Sequence, residues 1–184
     1  MSEGRVNVAG VDVSTDHYID GRRVASKERF LDRSPIDGSQ LAEVSAGGAA
    51  EVDMAVDAAR RAFPAWAALG AEGRAPILKR FAEGILARSA DLAAVETLDN
   101  GSLLTGNQHR VVPRAALNIS YFAEHALTLN GHTIDSPEVV NNVRYDPSGV
   151  AALITPWNGP LMLTTGKVGP ALAAGNTIVV KPPE

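Results

Sequence analysis

The sequence predicts an α/β fold in which hairpins and helices lead into the first strand–helix–strand unit of a parallel sheet. Three observations support this prediction. Residues 149–184 consist of a short apolar run, a helical stretch and a β-branched run. Residues 52–129 carry apolar side chains at three- and four-residue spacing, which is typical of helices. Before them, Asp-Gly pairs at 20–21 and 37–38 separate strand-like pieces.

The amino-terminal part is predicted to contain two turns between short strands. Residues 1–16 look polar and aperiodic, and we expect them to form a flexible tail. Asp20-Gly21 lies between two strand-like pieces and predicts a hairpin. A second turn is predicted at Ser34–Gly38, followed by a strand at 41–44.

Four apolar stripes predict four helices, and we expect the stripe residues to form the core. The stripes are Val52, Val56, Ala59, Phe63 and Trp66; Ile77, Leu78, Phe81, Ile85 and Leu86; Leu92, Val95 and Leu98, stopped at Asn100-Gly101; and Ala115, Ile119, Phe122, Ala126 and Leu129, stopped at Asn130-Gly131. Pro64 is expected to kink or end the first helix.

In residues 132–148 the apolar side chains no longer recur at helical spacing, and this segment is predicted to form a β arm. Within it, residues 139–145 form a strand-like run between Pro137 and Pro147. An apolar strand edge is a liability unless another surface covers it. The arm therefore suggests a homo-oligomer.

The closing segment 149–184 is predicted to be a βαβ unit. Its strands are 150–154 and 176–181, and Pro160 and Gly175 mark the start and stop of the helix. Such units have parallel strands, and ligands bind beyond the carboxyl ends of parallel strands. Asn158, Lys181 and Glu184 are therefore expected to converge on one cleft. An N-cap role for Asn158 and a solvated strand end for Lys181 are the alternatives, and spacing alone does not separate them.

Composition excludes several classes of protein. A net charge of −4 argues against a nucleic-acid partner, which would need a basic patch. No apolar run approaches the ~20 residues of a membrane span, and the first residues lack a secretory signal. With no cysteine there is neither a disulfide nor a thiolate metal site, so a cytoplasmic protein without membrane partners is expected. Neither a P-loop nor a G-x-G-x-x-G motif occurs.

Four ordered motifs occur toward the end of the sequence: Pro147-Ser-Gly-Val, Ile154-Thr-Pro-Trp-Asn158-Gly-Pro-Leu, Gly169-Pro-Ala-Leu-Ala-Ala-Gly-Asn176 and Lys181-Pro-Pro-Glu184. Together they resemble the aldehyde dehydrogenase superfamily, and the resemblance extends over the chain from about Tyr18 onward. The resemblance implies a truncated, amino-terminal part of the family's fold, with a lean toward the hydroxymuconic-semialdehyde branch. It divides the chain into a tail (1–16), the hairpin and helical part of the NAD-binding domain (17–131), an oligomerisation arm that pairs with a neighbouring subunit (132–148), and the first βαβ unit of a Rossmann-like sheet (149–184).

The resemblance also implies an activity and a set of site residues. In the family, a cysteine thiolate attacks an aldehyde, hydride passes to NAD(P)+ and a glutamate activates water to release the acid. Asn158 matches the asparagine that stabilises the oxyanion, and Ile154, Thr155, Pro156 and Trp157 match the lining of the cofactor cleft. Lys181 and Glu184 match the pair that holds the adenosine ribose. A carboxylate there repels a 2′-phosphate, so NAD is favoured and NADP stays open.

Arg114 resembles a position of the hydroxymuconic-semialdehyde branch where an arginine meets a substrate carboxylate, which a bidentate guanidinium suits. A solvated helix arginine is the favoured alternative.

The family's cysteine, glutamate and later glycine-rich cofactor turn match no position up to 184, so we expect the isolated chain to be inactive. The competing hypothesis is a non-catalytic interaction module that pairs with full-length subunits through the arm. A stand-alone nucleotide-binding domain is disfavoured because the phosphate-binding turn is absent.

Overall fold

The computed structural model describes residues 4–183. Its amino-terminal part consists of three antiparallel β-hairpins. Their strands are β1 (Arg5–Val8), β2 (Val11–Ser14), β3 (His17–Ile19), β4 (Arg22–Val24), β5 (Arg29–Arg33) and β6 (Gln40–Ser45). The predicted turns are confirmed: Asp20 and Gly21 have φ values of 51° and 75° between β3 and β4, and Gly38 has φ 75° between β5 and β6.

The expectation of a flexible tail over residues 1–16 is wrong for residues 5–14. Val6 and Val8 alternate with polar residues on β1, as Val11 and Val13 do on β2, and this period of two is a strand pattern. The turn between them has positive φ at Ala9 (52°) and Gly10 (81°), which matches the right-handed twist of a two-residue hairpin. Residues 1–3 lie outside the described part of the chain.

The four predicted helices are present, with two differences at their ends. The helical elements are α1 (Ala49–Ala68), α2 (Gly70–Ala87), α3 (Ser89–Asn100), the short α4 (Leu104–Gly106), a π-helical stretch (Asn107–Val111), α5 (Val112–His125) and α6 (Pro160–Ala173). Pro64 does not end α1, which continues to Ala68, because tertiary packing of Trp66 outweighs the local cost of the proline. The stretch 126–130 is not part of α5.

The core lies where α2, α5 and α6 pack together, and alanine dominates it. Leu78, Ile119 and Val112 are its largest fully buried apolar side chains. The prediction that all stripe residues are core is wrong for several of them, which are between 37% and 52% exposed: Val52, Ile77, Phe81, Leu86 and Leu129. The buried faces are set instead by small residues such as Ala75, Ala82, Ala115 and Ala123, which let the helices approach closely.

Hydrogen bonds between residues that are far apart in sequence join the early helices to the closing βαβ unit. The indole Nε1 of Trp66 donates to the Leu172 carbonyl at 3.1 Å. The hydroxyl of Thr177 donates to the Ala59 carbonyl at 2.9 Å. The buried Arg74 donates from Nε to the Ala173 carbonyl and from Nη1 to the Ala67 carbonyl, at 3.2 and 3.1 Å. These bonds fix α6 and the start of the last strand against the helical part.

The predicted arm forms a hairpin of β7 (His132–Asp135) and β8 (Val140–Val143). The strand predicted over 139–145 is therefore observed, over a shorter span. Both strands are exposed, apart from the half-buried Val143. Pairing of this arm with another subunit stays a prediction.

The closing unit consists of β9 (Val150–Ile154), α6 and β10 (Thr177–Lys181). The two strands are parallel, as predicted, with Thr177 opposite Val150 and Lys181 opposite Ile154. Asn176 fastens the start of β9, because its Oδ1 accepts hydrogen bonds from the backbone N–H groups of Ser148 and Gly149 at 2.7 and 3.0 Å.

Candidate functional site

The carboxyl ends of β9 and β10 form one edge, and most of the predicted site residues lie there. Ile154 ends β9 directly opposite Lys181, the last residue of β10. The loop 155–159 follows β9 and leads into α6 at Pro160. Because both strands run in the same direction, the loop and the end of β10 are neighbours. This edge, with loop 155–159, is called the strand-end edge below.

Thr155 attaches the loop to β10. It is only 5% exposed, and its backbone N–H and its hydroxyl both donate to the Lys181 carbonyl, at 3.2 and 3.4 Å. A buried threonine with both donors directed to one carbonyl fixes where the chain leaves β9. The next residues, Pro156, Trp157 and Asn158, are exposed.

Large apolar side chains are exposed to solvent at the strand-end edge. Ile154 is 74% exposed and Trp157 is 73% exposed. Residues of this size normally bury most of their surface, and their exposure side by side marks a surface that another molecule or another part of a protein can cover.

Asn158 is not the N-cap of α6, so that alternative is wrong. The N-cap residue is Gly159, and no side chain makes a capping hydrogen bond there. The Asn158 side chain lies on the exposed part of the loop, two residues before the helix starts. Lys181 is likewise exposed at the end of its strand. Glu184 lies outside the described residues.

Arg114 lies on α5 and is connected to α6 through Asn118. Its Nε donates to Asn118 Oδ1 at 3.1 Å, and Asn118 Nδ2 donates to the Met162 carbonyl at 2.9 Å. Arg114 is exposed, and within residues 4–183 the guanidinium uses only its Nε for a hydrogen bond. The structure therefore places Arg114 beside the first turns of α6.

Sequence reasoning missed Glu96, a buried acid on α3. It is 8% exposed, and its Oε1 is the single buried side-chain oxygen or nitrogen in the described chain that has no hydrogen-bond partner. Burial raises the pKa of Glu96 to about 7, the negative charge of Asp99 adds to the rise, and a hydrogen bond from the backbone N–H of Leu161 opposes it. The available signal was weak: a glutamate three residues after Ala93, which is fully buried on the same helix face.

Other parts of the described chain offer fewer candidate functional groups. A cavity of about 370 Å³ between the amino-terminal hairpins is lined by residues including Thr15, Arg29 and Glu43. Arg29 is occupied there by an ion pair of 2.6 Å with the buried Asp16. Within residues 4–183, no group of three or more metal-ligating side chains occurs, and no helix is long and apolar enough to cross a membrane.

Comparison with known proteins decides the family. The model of the aldehyde dehydrogenase family matches residues 23–184. The chain belongs to the aldehyde dehydrogenase family. It is 40% identical over 167 residues to the 5-carboxymethyl-2-hydroxymuconate semialdehyde dehydrogenase of Escherichia coli, and 42% identical over 176 residues to the 2-hydroxymuconic semialdehyde dehydrogenase of Pseudomonas sp. (strain CF600).

These alignments cover 90% and 91% of this aldehyde dehydrogenase-family chain but only 36% of each relative. The chain thus spans about a third of the length of the relatives it matches. Among solved structures, PnpE in complex with nicotinamide adenine dinucleotide superimposes with a TM-score of 0.85 at 44% identity, covering 90% of this chain and 35% of that one. The predicted fold, an aldehyde dehydrogenase-like α/β fold cut short, is confirmed.

Proposed function

We propose that this chain is the amino-terminal part of an NAD-dependent aldehyde dehydrogenase that oxidises an aldehyde to a carboxylic acid. The observation that carries the proposal is the strand-end edge. There, the sequence Thr155-Pro-Trp-Asn158 joins the carboxyl end of β9 to α6, beside the end of a parallel β10. Ligands bind at such edges in open α/β sheets. The relatives named above support the reaction class.

The residues at the strand-end edge fit a dinucleotide. Ile154 and Trp157 offer exposed apolar surface to the flat rings of such a cofactor, while Thr155 and Pro156 shape the loop beneath it. The Lys181 ammonium is suited to donate to ribose hydroxyls, and the Glu184 carboxylate to accept from them. A carboxylate at the ribose repels a 2′-phosphate, so NAD is the proposed cofactor and NADP is the second candidate. The bound cofactor would supply the hydride acceptor.

Asn158 is the proposed catalytic residue of this part of the enzyme. Its amide NH₂ donates a hydrogen bond where negative charge develops on the aldehyde oxygen. Loss of one such donor typically lowers the rate ~10²–10³-fold. The exposed position of Asn158 and the absence of a capping role leave the amide available for this contact.

Arg114 is proposed to bind a carboxylate of the substrate. Its two terminal guanidinium nitrogens are not used within residues 4–183, and together they match the two oxygens of a carboxylate. Its link through Asn118 to Met162 supports a position beside the same end of α6 as Asn158. A semialdehyde that carries a carboxylate is the substrate class that suits this pair.

The arm formed by β7 and β8 is proposed to pair with a second subunit of a cytoplasmic homo-oligomer. Its exposed apolar residues, such as Ile134 (52% exposed) and Val140 (60% exposed), support this proposal. The hypothesis of a non-catalytic interaction module gains no support from the comparisons, since the relatives reported above are named as dehydrogenases.

A chimera tests the proposed function. Residues 1–184 are joined to the remaining part of the Escherichia coli relative, and NADH formation is measured with carboxylated and uncarboxylated aldehydes. We expect turnover by the chimera, none by the isolated chain, and a ~10²–10³-fold lower rate for Asn158→Ala. Asn7→Ala, at an exposed asparagine of the amino-terminal hairpin, is the matched control. A folded chimera that binds no NAD, or an Asn158→Ala rate equal to that of the control, would refute the proposal.

A further inference from the structure

Asn118 lies at a close approach of α5 to α6. Two glycines of α6 face it: a Cβ at Gly169 would lie 2.8 Å from the Asn118 carbonyl oxygen, and a Cβ at Gly166 would lie 3.5 Å from Asn118 Nδ2. The first of these distances is shorter than van der Waals contact, so the backbones can approach this closely only because Gly169 has no side chain. The half-buried Asn118 side chain is therefore packed between the two helices.

The hydrogen bonds of the Asn118 amide allow only one orientation of this group. Its Nδ2 donates to the Met162 carbonyl at 2.9 Å and to Thr165 Oγ1 at 3.4 Å. Its Oδ1 accepts from Arg114 Nε at 3.1 Å. A carbonyl oxygen can only accept a hydrogen bond, and a guanidinium nitrogen can only donate one. The reversed amide would lose both contacts, so the position of Oδ1 next to Arg114 is fixed by α6.

The contact with Asn118 decides which edge of the Arg114 guanidinium remains open. A guanidinium can bind a carboxylate with two parallel hydrogen bonds, either through Nε and one terminal nitrogen or through both terminal nitrogens. Because Arg114 Nε already donates to Asn118 Oδ1, the first mode is blocked. The two terminal nitrogens make no hydrogen bond within residues 4–183, and Arg114 is exposed, so the second mode is open.

Asn118 also relates Arg114 to the loop that carries Asn158. Met162 lies in the first turn of α6, directly after the loop 155–159. Through the Asn118 amide, the guanidinium on α5 is therefore connected to the turn into which this loop leads. A long side chain loses rotamer freedom when a ligand fixes it, and one that is already held at Nε has less freedom to lose.

From these contacts, we infer that Asn118 is a positioning and specificity-determining residue. It holds Arg114 by Nε, so that the two terminal nitrogens bind the carboxylate of a semialdehyde at a fixed place relative to Asn158. The statement about the substrate rests on the proposed function, whereas the arrangement of the two side chains does not. An aldehyde without a carboxylate gains nothing from this arrangement. Asn118 therefore raises the preference for carboxylated aldehydes without touching the reacting atoms.

The arrangement itself is tested on the ¹⁵N-labelled 184-residue chain. The variant Asn118→Leu keeps the side-chain volume and removes the acceptor, and the exposed Asn7→Ala is the matched control. The Arg114 Nε–H signal is assigned by its loss in Arg114→Lys. We expect this proton to exchange with solvent about tenfold faster in Asn118→Leu than in the wild type and the control, because it has lost its hydrogen bond.

Two results of this measurement would overturn the inference. One is an equal exchange rate of the Arg114 Nε–H in the wild type and in folded Asn118→Leu. The other is a wild-type Arg114 Nε–H that exchanges as fast as that of the exposed Arg110. The second comparison needs no variant, so it decides the matter even if Asn118→Leu does not fold.

The consequence for substrate choice is tested in the active chimera with adipic semialdehyde and hexanal, which have the same chain length and differ in the terminal carboxylate. Asn118→Leu should lower kcat/KM for adipic semialdehyde about tenfold, chiefly through a higher KM, and change the value for hexanal little. Arg114→Leu should lower it at least as much. The double variant should lose no more than Arg114→Leu, because Asn118 acts through Arg114.

The outcomes separate this inference from the proposed function. Equal losses for both aldehydes in Asn118→Leu, or additive losses in the double variant, would show a merely structural role and overturn the inference. An Arg114→Leu chimera that still prefers adipic semialdehyde would refute the proposed carboxylate binding by Arg114, and the statement about the substrate with it. A chimera that oxidises neither aldehyde would refute the proposed function, and the exchange of the Arg114 Nε–H would still decide whether Asn118 holds this side chain.

Discussion

Replacement of Glu96 by glutamine is expected to flatten the pH dependence of the chain's stability. Burial raises the pKa of Glu96 from 4.5 to about 7. The folded chain therefore holds a proton that the unfolded chain has already released between these two pH values. Where the folded state binds more protons, the free energy of unfolding falls as pH rises. The contribution of Glu96 to stability is thus fully present below about pH 4.5, declines through this window and levels off above about pH 7.

The size of the decline follows from the two pKa values. The gap from 4.5 to about 7 is equivalent to about 3 kcal/mol, of which about 2.5 kcal/mol falls between pH 5 and pH 8. Glutamine carries no ionisable group, so its variant lacks this component. Acids that do not interact with Glu96 contribute equally to both proteins, whereas Asp99, whose negative charge adds to the rise at Glu96, is coupled to it. The difference between the two pH profiles therefore reports Glu96 together with its coupling to Asp99.

Urea unfolding followed by far-ultraviolet circular dichroism measures the effect at several values between pH 5 and pH 8. Glu83→Gln, at an exposed site on α2, is expected to follow the wild-type profile. Parallel profiles for the wild type and Glu96→Gln would show that the carboxyl is not desolvated in solution. A wild type that gains stability relative to Glu96→Gln as pH rises would reverse the sign of the argument.

Further predictions concern the packing around α6. Arg74→Met should lower the free energy of unfolding by about 2–3 kcal/mol, because two carbonyls lose a charged donor; Arg60→Met, in an exposed ion pair, should change it by less than about 0.5 kcal/mol. Gly169→Ala should cost about 1–3 kcal/mol, since its Cβ would lie 2.8 Å from the Asn118 carbonyl oxygen. Gly84→Ala, in open space within α2, should instead stabilise by about 0.5–1 kcal/mol. Urea titrations at constant pH measure all four, and equal effects of the two alanine substitutions would contradict the packing described here.

The βαβ unit could be predicted from sequence because its signals are local. Val150–Ile154 is a short apolar run with Gly149 before it and Thr155-Pro156 after it, and Pro160 marks the helix start. These glycine and proline boundary signals act locally and do not depend on the rest of the fold. The same reasoning located the loop with Asn158 but could not decide between an N-cap and an exposed amide. That choice depends on the backbone conformation at Gly159, which the sequence does not determine.

Core membership was harder to predict, for a physical reason. Phe81 and Ile77 are more hydrophobic than Ala75 and Ala82, yet the alanines are buried and the larger residues are exposed. Close helix approach selects small side chains, and hydrophobicity alone points to the wrong face. Glu96 was missed for a related reason. A single acid on a helix predicts a solvated face, whereas Glu96 is only 8% exposed in the folded chain.

The hydrogen bonds that join Ala59, Trp66 and Arg74 to the closing unit, donated by Thr177 in the first case and by the Trp66 and Arg74 side chains in the others, span 118, 106 and 99 residues of sequence. Contacts so distant along the chain close large loops and slow the folding of a domain. On a ribosome, α1 and α2 emerge long before their partners in α6 and β10 are synthesised. Their inner faces therefore remain exposed to chaperones and to other nascent chains until α6 and β10 have been synthesised and can pack against them.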